Sequence, residues 1–217
     1  RLHADDHRYH QRARRLDQTD SVERAHLVYE HIAVVLDLQA QCLHHGLKAV
    51  QLGRKMEDKT ALISAMVNLA NCYGEIRNFT EAKKLYREAI EISVQAENKA
   101  IEAMAYEGMS DIALKESEFE RLKEYAEKSL ALHTAMENSF GMMAARQALA
   151  MYYLCKKDFT SALSYANQSL VIAEKDSLLE GKAEVLNTLA AISYATGDFS
   201  NAIGYSDQSK KITEKIF

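Results

Sequence analysis

Phe79, Phe119, Phe159 and Phe199 stand 40 residues apart, and each sits in a similar phrase: Asn78-Phe79-Thr80-Glu81-Ala82, Glu118-Phe119-Glu120-Arg121-Leu122, Asp158-Phe159-Thr160-Ser161-Ala162 and Asp198-Phe199-Ser200-Asn201-Ala202. Self-similarity at a fixed period of this size marks a stack of supersecondary units, each too small to bury its apolar face without a neighbour. Other positions keep the same step. Leu69, Met109, Leu149 and Leu189 share one position, and Ala70, Ser110, Ala150 and Ala190 share the next. Ala89, Ser129, Ser169 and Ser209 share a third. Small residues therefore recur where helices must approach closely. Each phenylalanine is expected to open the second helix of its unit, wedged against the first.

Composition decides what those units are made of. The 217 residues include no proline, no tryptophan and only 8 glycines, so the strongest helix breakers are nearly absent and an all-α chain follows. A formal charge of -4 argues against nucleic-acid or anionic-membrane binding, which needs a basic surface to release counterions. No apolar run approaches the ~18 residues of a membrane span, and there is no signal-peptide core, so a cytoplasmic location is expected. The chain begins at Arg1 rather than Met, as expected of a piece of a longer protein.

One unit is legible in detail. Met66, Leu69, Ala70 and Tyr73 lie at i, i+3, i+4 and i+7, the stripe of an amphipathic helix A spanning about residues 59–76. Asn78 and Glu81 are spaced as a capping box that starts helix B. Phe79, Ala82, Tyr86, Ala89 and Ile90 share one face of helix B, which is expected to end near Glu97-Asn98, with Asn98 in the left-handed conformation. The period then divides the chain into units at 59–98, 99–138, 139–177 and 178–217, the turn before the last drifting to Lys175-Asp176-Ser177. A degenerate copy occupies 20–58, its first helix within Ser21–Leu38, and residues 1–19 form a charged, His-rich lead-in.

Asn68-Leu69-Ala70-Asn71-Cys72-Tyr73, then Asn78-Phe79-Thr80-Glu81-Ala82, Tyr86 and Ala89, resembles the signature of tetratricopeptide (TPR) repeats. The period is that of a 40-residue variant found in scaffold proteins and bacterial signalling regulators, against 34 in the standard repeat. HEAT and armadillo repeats share the period but would not place Leu-Ala before a Tyr and a turn such as Gly197-Asp198-Phe199. The resemblance implies a right-handed α-α superhelix, a solenoid of about five antiparallel helix pairs, whose A helices line a concave peptide-binding groove. Carried over position by position, it implies a groove of Asn68, Asn71, Glu75, Glu107, Asp111, Lys115, Gln147, Met151, Asn187 and Tyr194, with Glu184 and Cys155 beside them.

These positions lie on the polar flank of helices whose opposite flank is buried. The amides of Asn68, Asn71, Gln147 and Asn187 offer donor and acceptor together, which suits gripping a peptide backbone. Glu75, Glu107, Asp111 and Glu184 outnumber Lys115, so the groove is expected to attract a basic segment. The expected function is a non-catalytic protein- or peptide-binding module, part of a scaffold or regulator. The alternative is a sensing domain in which a signal peptide or small ligand controls an output domain outside this sequence. A homodimer through the terminal repeats is a third reading. No catalytic motif is present, and no cofactor or metal is expected. His3, His7 and His10 have helical spacing but read as a solvated terminus.

Overall fold

The computed structural model describes residues 36–56 and 58–216, and every element among them is a helix. The expected lead-in at 1–19, its histidines, and most of the helix within Ser21–Leu38 lie outside the described residues. The chain divides into two compact units, 1–45 and 46–217. In the first, residues 36–45 are helical. The second opens with helical residues 46–56 (α1). It continues with α2 (Lys59–Glu75), α3 (Phe79–Gln95), α4 (Lys99–Lys115), α5 (Phe119–Ala135), α6 (Ser139–Cys155), α7 (Phe159–Lys175), α8 (Leu179–Ala195) and α9 (Phe199–Ile216).

The links explain this regularity. From α2 to α8 every helix has 17 residues, and three residues separate each from the next. After α2, the Asn78 N–H donates to the Tyr73 carbonyl at 2.8 Å and the Arg77 N–H to the Gly74 carbonyl at 3.1 Å. This is a Schellman motif, in which a left-handed residue lets the chain turn back on the last carbonyls. Arg77, Glu97, Ser117, Glu137, Lys157, Ser177 and Gly197 all have positive φ, one every 20 residues. The residue after each opens the next helix. Asp58, Asn78, Asn98, Asn138 and Asp158 accept the N–H three residues on, and Asp198 accepts from the Asn201 N–H at 3.2 Å. Each cap occupies an orphan donor of its helix.

Two expectations change here. The left-handed residue after α3 is Glu97, φ 53°; Asn98 instead caps α4, accepting from the Ile101 N–H at 3.2 Å. The link before α8 keeps the common length; Leu178 stands at the cap and, like Glu118 before α5, makes no side-chain bond to the helix. The phenylalanines do open α3, α5, α7 and α9, but none is buried, and Phe199 is 57% exposed. The wedge is therefore shallow, and deeper side chains set the packing. Met143, Val185, Leu186, Leu189 and Ile192 pack with Ala150, Ala162, Ala166 and Ala173 in one such cluster. Burying a side chain such as Leu189 stabilises by about 1.5–3 kcal/mol.

Helices of one pair pack most closely: α2 with α3, α4 with α5, α6 with α7, α8 with α9. Between pairs, α2 meets α4, α4 meets α6 and α6 meets α8, whereas α3, α5, α7 and α9 do not meet one another. A stack whose A helices touch while its B helices are spread has the A helices on its inner, concave side. The α4–α6 approach is the loosest of the three. At the start of the unit α1 comes close to α2, since a Cβ on Gly53 would fall 2.9 Å from the Leu62 Cα. Among the described residues, no helix is long and apolar enough to cross a membrane.

Candidate binding site on the inner face

Where α4 and α6 draw apart, a pocket of about 340 Å³ opens. Glu107, Ser110, Asp111 and Leu114 of α4 form one wall, and Ala144, Ala145, Gln147, Ala148 and Met151 of α6 the other. Leu122, Ala126 and Ser129 of α5 make the floor, and Glu184 of α8 reaches the rim. Small side chains cause the space, because Ala144, Ala145 and Ala148 stop short of α4. Of the groove residues expected from sequence, Glu107, Asp111, Gln147 and Met151 come together here. Asn68, Asn71, Asn187 and Tyr194 are exposed and do not line it. Tyr194 stands edge-on to Phe199, ring centres 5.5 Å apart.

Several of these groups already have partners. Asp111 Oδ2 lies 2.7 Å from Lys115 Nζ, and Glu75 Oε1 lies 3.9 Å from the same ammonium. Lys115 is thus engaged by its acidic neighbours. Gln147 Nε2 donates to Thr188 Oγ1 at 3.2 Å, which ties α6 to α8. The Asn71 side-chain oxygen accepts the Tyr86 hydroxyl, so part of this amide is committed to the fold. Burial holds the Tyr86 phenol well above its usual range, and the charges of Asp111 and Glu75 push the same way.

Glu107 is anchored from beneath. Its Oε1 lies 2.8 Å from Nε2 of the buried His133, though off the line of a directed hydrogen bond. His133 fits because α6 carries Gly141 opposite it, where a Cβ would overlap the imidazole. Glu184, by contrast, has no basic partner among the described residues. The surrounding protein raises its carboxyl above the ordinary range by desolvation, and Glu180 adds repulsion. None of the residues lining the pocket is basic, while Lys115 beside Asp111 and His133 beneath Glu107 stand just outside the lining.

Two hydroxyls complete the site. Ser129 repeats as Ser169 and Ser209, which donate to the Met143 and Ala183 carbonyls at 2.8 Å and 2.9 Å. Ser129 is fully buried and makes no such bond. Ser110 is also buried and unpartnered, at a position where the other units carry alanine. The 40-residue step displays both serines, but it reads them as small spacers; that α5 floors a cavity is visible only in three dimensions. No group of three or more His, Cys, Asp or Glu suited to a metal ion occurs among the described residues.

Residues 62–99 match the family model of the tetratricopeptide repeat. None of the curated proteins matches the chain. The fold is similar to that of the crystal structure of BtubC (BKLC) from P. vanneervenii, with 23% identity, TM-score 0.67, and coverage of 95% of this chain and 87% of that one. It is also similar to a putative kinesin light chain from Podosopora anserina with nearly identical TPR-like repeats, at 16% identity and TM-score 0.60, covering 82% and 88% of the two chains. The fold is thus that of TPR-like repeat arrays.

Proposed function

We propose that this TPR-like array is a protein-binding module whose inner face holds a basic segment of another protein. The observation that carries the reading is the pocket between α4 and α6, with three carboxylates, Glu107, Asp111 and Glu184, and no basic residue in its lining. Charge complementarity of this kind steers association and repels acidic partners. Asp111 and Glu184 are solvent-exposed at the rim, which supports the interaction module over a closed sensing pocket. The amides of Asn68 and Asn187, exposed on the A helices, supply further grips along the same face.

Affinity capture compared between the natural chain and the triple variant Glu107→Lys, Asp111→Lys, Glu184→Lys tests the reading. Partners with basic segments should be retained by the first and lost from the second while helicity is unchanged. The same partners on both would place the binding surface elsewhere.

A further inference from the structure

Resting on that reading, we infer that the pocket between α4, α5 and α6 is an anchor site for one arginine side chain of the bound segment. The space is at the small end of the ~300–1,000 Å³ of ligand pockets, which suits one long side chain rather than a cofactor. Its chemistry is divided in the way that side chain is divided. Leu114, Ala144, Ala148 and Met151 offer apolar surface to the methylene stem, and the carboxylates receive the charge.

Arginine is preferred to lysine for a geometric reason. Glu107 and Asp111 approach from α4 and Glu184 from α8, so acceptors converge from two sides of the pocket. A guanidinium presents five donors in a planar fork and is less strongly hydrated than an ammonium, so it can meet separated acceptors with a smaller desolvation cost.

The buried serines are an independent indication. Ser110 and Ser129 line the pocket, are at most 2% exposed and have no hydrogen-bond partner among the described residues. Such hydroxyls are ordinarily satisfied, and Ser169 and Ser209 show that the repeat can satisfy this very position. Left open on the wall and the floor of the pocket, the two oxygens are acceptors for the inner N–H groups of a guanidinium. Nothing in the packing requires Ser110 to be other than alanine, as Ala70 and Ala150 show at the same position.

The test uses the full chain and short fluorescein-labelled peptide pools with randomised flanks. The central residue is fixed as arginine, lysine, norleucine or glutamate, and fluorescence anisotropy reads the affinity. The arginine pool should bind about tenfold tighter than the norleucine pool, with lysine between them. Glu107→Gln and Glu184→Gln should each abolish that preference, while Asp207→Asn, an equal change of charge on α9, should leave it. Ser110→Ala should weaken arginine selection without lowering the melting temperature, which separates a lost ligand contact from a lost fold. Equal binding of arginine and norleucine pools, or a preference that survives the pocket variants, would overturn the anchor and leave peptide binding standing. No binding by any pool would overturn both.

Discussion

At the scale of single residues, the α5–α6 interface beneath Glu107 rests on an exchange of side chains. The position of Ser93, Ala173 and Thr213 is His133, and the position of Ile101 is Gly141; the larger side chain on one helix is matched by the absence of one on the other. Gly141→Ala should destabilise by about 1–3 kcal/mol, since the added methyl must displace a buried ring. Adding His133→Ser should recover much of that loss, with a coupling of about 1–3 kcal/mol in a double-mutant cycle read by urea denaturation. Additive losses would show that the two residues do not share the space. Each residue is unremarked in the sequence because neither breaks the apolar pattern; only their pairing, 8 residues apart on successive helices, has a physical meaning.

Glu184 gives the residue scale its pH dependence. A carboxyl whose folded pKa is raised binds its proton more tightly in the native state. Its unfavourable contribution is therefore absent below the unfolded pKa and develops as the pH rises through the folded one. Glu184→Gln should raise stability at neutral pH and leave it unchanged in acid; thermal melts at both values would check the sign. The same substitution should weaken binding, as expected of a charge held for a ligand. An equal or lower melting temperature at neutral pH would remove that argument.

At the scale of elements, the 40-residue period is two copies of one arrangement, a 17-residue helix and a three-residue link. The sequence displayed the helices through their apolar stripes and the link through Asn78 and Glu81. It was less clear about which link residue turns left-handed, because the residue closing one helix by its backbone also caps the next by its side chain. Asn favours both roles, and in the structure the cap prevails while Glu97 takes positive φ. Asn98→Ala should accordingly cost about 1 kcal/mol, the usual loss on removing a helix cap. Hydrogen exchange should localise the loosening to the first turn of α4. A change confined to the end of α3 would favour the left-handed role instead.

At the scale of the whole unit 46–217, the unequal spacing of the helices carries the functional argument. The periodic pattern made the fold class and the A-helix flank legible, since both follow from which side of each helix is polar. It could not show that α4 and α6 stand farther apart than their neighbours, which depends on how Ser110, Ala144 and Ala148 face one another. Nor does it say how much of α9 stays uncovered. That helix buries only Ala202 and Ser209. On its outer side Ile203 is 64% exposed, and Lys210, two turns on, lies 3.9 Å from Glu214. A polar residue on an exposed face of a repeat array keeps that face from packing against another copy, and Lys210 stands where Ile90, Leu130 and Leu170 carry the apolar pattern. Lys210→Leu would join the exposed Ile203 into one apolar strip at i, i+7 spacing. Sedimentation velocity over a range of concentrations should then show self-association in the variant alone. A monomeric variant would mean that Lys210 is not what keeps this face from pairing.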